Sequence, residues 1–525
     1  MNMTELHPVA LDATKDHGPR VAGAARWATP ALVVVGLVGV ALRLRMLLIG
    51  RSFWLDEAML ALNICGRSFG DLLKPLSYDQ GAPIGFLFAE RAAVLALGPT
   101  ELALRLFPFL ASIAALALVG RLCGTIGGRW AAVVGVALAG VSPALIYYSG
   151  ELKQYSSDVT LALLILALIA DALRLGLTAR RAAVLAVVGA GAVWFSHPAV
   201  FVLAGAGSTL ILKELWERRF ATATLAAAMA AAWLVSFAVQ YVLFTRSLQG
   251  NAALSSYWES GFLRFPPRSP RDLHVYSALA FGLFESLFLN FQVNAELASR
   301  MGVFMAAAWL IGAATLIHQG RRQVLVLLVA PLAFAAVGSM LHVYPLKGRL
   351  ALFTAASTLP VIALGIAGLM ATRDALNRTT GALLLGCALL LPTLQSIQSV
   401  VERPRLHDAP GVLAAVARDW RPGDVVVMDR YSAPPFEFYQ QYGHVDRLGA
   451  IQPITTELAL TEPEELAREI RRHRGSPRVW FLLDASLPDP TDLSRDALRV
   501  LLDQAGRRIE SFTARRYSAH LYRFD

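Results

Sequence analysis

"ALVVVGLVGVALRLRMLLIG" (residues 31–50) runs straight into "RSFWLDEAML" (51–60), and this junction decides how the chain is organised. A helix rising 1.5 Å per residue needs about 20 apolar residues to cross a hydrocarbon core of roughly 30 Å. The first stretch meets that length. Two adjacent carboxylates, Asp56 and Glu57, follow at its end. A carboxylate close to hydrocarbon is costly unless it has a partner or a task. These acids are therefore either solvated at the surface or part of a reaction centre at the membrane boundary.

Apolar stretches of similar length recur from residue 30 to residue 400 of the 525-residue chain. Hydrophobic residues make up 56% and charged residues 16%, with a mean hydropathy of +0.51. A soluble domain usually carries about 25% charge. The composition is that of an α-helical polytopic membrane protein. The net charge of +10 fits arginines in cytoplasmic loops facing anionic lipid better than it fits a nucleic-acid partner. Cys65, Cys123 and Cys387 are far apart, which argues against both a disulfide framework and a zinc site. Residues 1–28 lack a signal-peptide pattern and read as a cytoplasmic tail.

Arginine-rich short loops orient the chain. With the N-terminus inside, 30–49 crosses outward, and spans near 102–121, 130–148, 157–175, 182–196 and 198–213 follow. "RLGLTARR", "KELWERR", "HQGRRQ" and "ATRDALNR" then fall on the cytoplasmic side. The segments 82–98, with Glu90 and Arg91, and 275–292 are left outside. About eleven spans result, with ten to thirteen as the range, and 29–399 forms the transmembrane module. Its larger outer loops are 50–101 and 245–299. The second of these is too apolar for a tether and too polar to cross, so it reads as an interfacial lid or as a loop packed on the bundle.

After residue 400 the pattern changes. "GVLAAVARDW", "PEELAREIRRHR" and "SRDALRVLLDQAG" have helical spacing, while "DVVVMD", "RVWFLLD" and "RRIESFTARRYSAHLYRF" read as strands. The expectation is a small α/β domain over 400–525 on the periplasmic side, with a supporting or acceptor-binding role. It contains no phosphate loop or nucleophile elbow.

Polar groups that need a reason collect on the outer side. They are Asp56–Glu57, "SYDQGAP" (77–83), "YYSGELKQYSSD" (147–158), "WFSHP" around His197, and "HVYPLKGRLALF" (342–353). Singly, each has a plain reading: a Lys or Arg at a span end is an interfacial anchor, and a lone His caps a helix end. Together they supply a general base, or carboxylate ligands for a divalent ion, and cations for an anionic phosphate leaving group. Such a site suits a hydroxyl or amine attacking a carbon bonded to a lipid-borne phosphate.

"FWLDEAMLALNI", "YDQGAPIGFLFAERAAVLALGPTELALRLFPFLAS" and "ALIYYSGELKQYSSDV" occur in that order. With them the chain resembles the GT-C superfamily of polytopic glycosyltransferases. The likeness is to the bacterial branch related to protein O-mannosyltransferases and to the lipid A aminoarabinose and galacturonic acid transferases. It covers about residues 30–210, with a weaker echo at "YPLKGRLALF". Lys153 stands where that branch commonly has Arg, and Ala82–Pro83 replaces a Pro–Pro pair. A bidentate clamp on phosphate thereby becomes a point charge.

The resemblance implies a polyprenyl-phosphate sugar donor and an envelope lipid, polysaccharide or protein acceptor, acting at the periplasmic face of the inner membrane. It implies Asp56 as base and Glu57 as its orienting partner or, with Asp56, a ligand to a divalent metal ion, with no cofactor required. Lys153, Arg349, Lys347 and Tyr344 become donor-phosphate contacts. Glu151, Tyr155, His197 and Gln80 become substrate contacts, although His197 reads first as structural. One base and one attack imply inversion at the anomeric carbon.

Three other readings compete. A transporter or flippase predicts ionisable groups at mid-membrane depth and inverted repeats, and the sequence has neither feature. A polysaccharide polymerase or ligase using a pyrophosphate-linked lipid draws on Arg264, Arg268 and Arg271 of the long outer loop. A structural or sensory membrane protein is the third.

Overall fold

The computed structural model describes residues 19–288, 295–401, 408–443, 445–456, 463–484, 495–514 and 517–524. Most of the expected cytoplasmic tail (1–18), residues 289–294 of the long outer loop and parts of the C-terminal domain lie outside the described residues.

Helix α1 (Pro19–Leu48) carries the opening apolar run and α2 (Leu55–Gly66) the acid pair. They are followed by α3 (Ile84–Leu97), α4 (Ala103–Gly127), α5 (Arg129–Gly140), α6 (Pro143–Tyr147), α7 (Tyr155–Leu175), α8 (Ala179–Phe195), α9 (Ala199–Trp216) and α10 (Phe220–Gln240). Two short helices, α11 (Arg246–Gln249) and α12 (Ala252–Tyr257), lead to α13 (Pro270–Phe288), α14 (Ala295–His318), α15 (Arg322–Met340), α16 (Ala355–Met370) and α17 (Ala375–Val401).

Among the described residues eight helices are long and apolar enough to cross a membrane, or nine if α5 and α6 form one bent span. The chain is a multi-pass membrane protein. Two expected spans, 157–175 and 182–196, form α7 and α8 but are not among the eight. Helix α7 carries Asp158, Asp171 and Arg174, and α8 has 17 residues. The segments left outside at 82–98 and 275–292 form α3 and α13, which are not among the eight either.

The described chain forms two compact units. One comprises residues 1–48, 81–88 and 105–401; the other comprises 49–80, 89–104 and 402–525. Residues 49–80 and 89–104, within the expected first outer loop and its flank, group with the C-terminal residues, while 81–88 group with the helical residues.

In the first unit the span Gly348–Met370, which contains α16, is 94% buried inside the protein, whereas the α1 window is only 22% buried. Helix α16 is therefore the bundle's centre, packed by α5, α7, α14, α15 and α17. Lipid is as apolar as leucine, so helices gain by close backbone approach at small residues. Gly365 of α16 lies against the backbone of Gly312 on α14, where any side chain would collide.

The expected single span at 130–148 is broken, with α5 and α6 bent by 64°. Pro143 at the start of α6 has no N–H to continue the ladder, and Ser142 caps α6 by accepting the Leu145 amide at 3.4 Å. Carbonyls freed inside a membrane must find other donors. Arg43 of α1 donates to Gly140 O at 3.2 Å and to Ala139 O at 3.0 Å, and Ser396 of α17 donates to Val141 O at 2.8 Å.

In the second unit the C-terminal residues form α18 (Ala409–Asp419), β1 (Val425–Met428), α19 (Ala433–Gln441), β2 (Ile454–Thr455), α20 (Pro463–Arg472), β3 (Val479–Asp484), α21 (Arg495–Ala505), β4 (Arg507–Thr513) and β5 (Tyr517–Arg523). The expected α/β character is present. The sheet order is β2-β1-β3-β5-β4, with β1 parallel to β2 and β3, and β5 antiparallel to β3 and β4. Strand β3 is buried along its whole length, which is why it reads as an unbroken apolar run. Val427, Phe481, Leu483, Leu466 and Leu502 build the core beside it. The edge strand β4 is solvated and carries a register shift between Arg508 and Glu510, both of which discourage edge-to-edge pairing.

Candidate functional site

The acid pair sits in the first turn of α2, where the exposed N–H groups and the positive end of the helix dipole favour carboxylates. The two acids differ in access: Asp56 is half-buried, while Glu57 is 1% exposed. The other end of α2 is neutralised by Arg91, which donates to Ile64 O at 3.1 Å and Cys65 O at 2.9 Å. Burial pushes the neighbouring Cys65 thiol up to about 12, which keeps it neutral. Glu90, fully buried, has no hydrogen-bond partner for either oxygen among the described residues. Burial raises its carboxyl well above the usual range.

Residues 77–80 of the "SYDQGAP" segment form a braced loop of the same unit. Asn63 Nδ2 donates to Ser77 O at 3.2 Å, and the Ser77 amide returns a bond to Asn63 Oδ1 at 2.9 Å. Arg67 donates to Pro75 O at 2.9 Å and Ser77 Oγ at 2.8 Å. Tyr78 and Asp79 both take left-handed backbone conformations, with φ of 63° and 51°, which cost non-glycine residues about 1 kcal/mol or more each. Gln80, expected as a substrate contact, is 8% exposed, and its amide donates to Tyr78 O at 3.3 Å.

The other candidate residues belong to the helical unit. After the broken helix, a 3-10 turn at Tyr148–Gly150 leads through Glu151–Gln154 into α7. Glu151, Lys153 and Tyr155 are all buried. Tyr148 packs edge-on against Tyr155 at 5.1 Å and is within electrostatic reach of Glu151 and Arg349. The Arg349 guanidinium lies 5.9 Å from the Tyr155 ring centroid and 5.6 Å from that of Trp258. The structure brings Tyr155 and Arg349 together, and Glu151 and Arg349 both lie within electrostatic reach of Tyr148.

Tyr344 is half-buried and donates to Leu350 O at 2.9 Å. Burial, with Asp158 and Tyr155 close by, pushes its phenol well above the usual range. Lys347 is exposed and donates to Ser260 Oγ at 2.8 Å. His197 is half-buried in the turn between α8 and α9, and its Nε2 has no hydrogen-bond partner among the described residues. Burial pushes its imidazole down to about 4, which leaves it neutral near pH 7.

Part of the long outer loop packs on this unit. Leu346 N donates to Gly261 O at 2.8 Å, and the Phe262 ring stacks on His342 at 4.9 Å. That packing delivers Trp258 to Arg349. The sequence reading passed over Trp258, whose signal was the aromatic density of "SSYWESGF". It also passed over Asp158, 3% exposed in the first turn of α7 and near Tyr344. A carboxylate so placed at a span end was the available signal.

Among the described residues no group of three or more His, Cys, Asp or Glu is placed to hold a metal ion. The adjacent pair Asp56–Glu57 offers two carboxylates, fewer than a dedicated cation site uses.

Three-dimensional comparison finds a likeness to ArnT from Cupriavidus metallidurans bound to undecaprenyl phosphate, at 13% identity and a TM-score of 0.52. It covers 95% of this chain and 98% of that one. The chain has a GT-C fold. The apo oligosaccharyltransferase of Archaeoglobus fulgidus is also similar, at 13% identity over 87% of this chain and 69% of that one, with a TM-score of 0.49. No family model matches the sequence, and no curated protein matches it. In this GT-C fold the acid motif starts α2, the proline-bearing segment runs through α3 into the start of α4, and the Glu-x-Lys-x-Tyr motif leads into α7.

Proposed function

We propose that the protein is a membrane glycosyltransferase that moves a sugar from a polyprenyl-phosphate donor to a lipid, polysaccharide or protein acceptor at the periplasmic face. The observation that carries this reading is Arg349 held against the faces of Tyr155 and Trp258, with Tyr148 within electrostatic reach of both Arg349 and the buried Glu151. A guanidinium so fixed is suited to phosphate, and aromatic faces suit a sugar or prenyl chain. The likeness to a protein bound to undecaprenyl phosphate supports the same donor class.

Asp56, the more accessible acid, takes the proton from the acceptor hydroxyl or amine. The freed lone pair attacks the anomeric carbon from the side opposite the phosphate. The sugar–oxygen bond to phosphate breaks, and its electron pair leaves with the phosphate, whose charge Arg349 and Lys153 offset. Configuration at that carbon inverts. Glu57 orients Asp56, Tyr344 and Lys347 border the phosphate, and no step is routed through a metal.

Purified protein incubated with a radiolabelled polyprenyl-phosphate sugar and membrane lipid extract should transfer label to an acceptor. Lipid flipping without transfer would favour a transporter instead. Asp56→Asn should lower turnover by about 10²–10⁴-fold, the contribution of one general base, while donor binding is retained. Full activity in that variant removes Asp56 from the mechanism.

A further inference from the structure

Three points on α19 hold the segments that frame the acid pair, all within the second unit. Tyr439 Oη accepts the Phe53 N–H at 2.7 Å and donates to Glu101 Oε1 at 3.0 Å. The fully buried Phe53 ring meets Phe438 edge-on at 4.9 Å. Glu437 Oε2 accepts the Tyr78 hydroxyl at 2.7 Å. Phe53 lies just before α2, whose N-cap residue Trp54 makes no side-chain cap. Tyr78 is the first of the two left-handed residues in the 77–80 loop. Strained backbone persists only where its surroundings over-determine it.

We propose that Tyr439 and Glu437 are positioning residues, through which the C-terminal domain sets the start of α2 and the shape of the 77–80 loop. Asp56 and Glu57 follow in the first turn of α2, so the domain acts on the acids through backbone. The catalytic consequence rests on the proposed role of Asp56; the structural one does not. This gives the domain the supporting role rather than acceptor binding.

Tyr439→Phe keeps the ring and deletes the hydroxyl oxygen that accepts the Phe53 amide. In the full-length protein, amide hydrogen exchange over residues 52–58 should rise about tenfold while exchange in α16 stays constant. Turnover should fall about tenfold with the donor KM within about twofold, since misplacing a group by a fraction of an ångström is felt in kcat. Glu437→Gln retains an oxygen for the Tyr78 hydroxyl and should behave as the parent, whereas Glu437→Leu should not. Tyr442→Phe, on the residue that follows α19, serves as the unchanged control. Unaltered exchange at 52–58 in Tyr439→Phe, or equal impairment by Gln and Leu at 437, overturns the proposal. Should Tyr439→Phe fail to fold, the Glu437 pair still decides it. If the parent transfers no sugar, the exchange arm still reads positioning while the proposed activity falls.

Discussion

Arg349 illustrates what one side chain contributes. Its planar guanidinium lies over two aromatic faces, an arrangement that a lysine ammonium on a flexible stem does not reproduce. Loss of such contacts costs about 0.5–2 kcal/mol. Arg349→Lys should therefore weaken donor binding about twofold to thirtyfold, read as Kd by titration with polyprenyl phosphate. Asp429 gives a prediction independent of the activity. It is fully buried, and burial raises its carboxyl to about 6 although Oδ1 accepts the Ser432 amide at 2.7 Å. The folded state then holds the proton more tightly than the unfolded state, whose carboxyl titrates near about 4. Stability is greatest below that value, falls as pH rises to about 6, and is flat above, the loss reaching about 3 kcal/mol. Asp429→Asn, which keeps an oxygen to accept the Ser432 amide, should raise Tm at pH 8 and leave it unchanged at pH 4. A fall in Tm at pH 8 would contradict this account. The acid pair could be picked out in the sequence because two carboxylates beside an apolar run are conspicuous. That Glu57 is enclosed and Asp56 accessible depends on packing from distant residues, which no local pattern encodes.

At the level of elements, the broken helix formed by α5 and α6 is the sharpest departure from the sequence reading. Its cause was present in "GVSP" (140–143), because proline cannot donate and disfavours helix in the residue before it. Hydropathy alone ran through the break. What makes the break tolerable is remote: Arg43 and Ser396 reach in from two other helices to the freed carbonyls. Arg43→Met should leave two buried carbonyls unsatisfied and cost about 2 kcal/mol or more, and Ser396→Ala about 1 kcal/mol. Thermal unfolding in detergent measures both, and equal Tm values for parent and Arg43→Met would refute the clamp. Close packing of α14 on α16 is a second case. Gly312 and Gly365 meet at the backbone, so Gly365→Val should sharply lower the yield of folded protein, read by size-exclusion profile. A glycine in an apolar run has many uses; only its partner reveals which one applies.

For the molecule as a whole, the orientation we propose from the loop charges has the N-terminus inside and the C-terminal domain outside. An alkaline phosphatase fused after residue 525 should then be active in cells and a fluorescent protein fused there dark. The reverse pattern would invert the topology and remove the periplasmic site. The sequence by itself determined that the chain is a multi-pass helical membrane protein, that an α/β segment follows residue 400, and that acids and cations stand at span ends. Each of these follows from local hydropathy, periodicity and charge, which neighbouring residues specify among themselves. Only the tertiary structure decided that residues 49–80 and 89–104 form one compact unit with the C-terminal domain, that α16 is the bundle's centre, and that Trp258 joins Tyr155 on Arg349. Those facts depend on contacts between residues hundreds of positions apart, as with Phe53 and Tyr439. Burial and hydrogen bonding across such distances are settled by the packing of the folded chain, and a linear pattern carries no record of them.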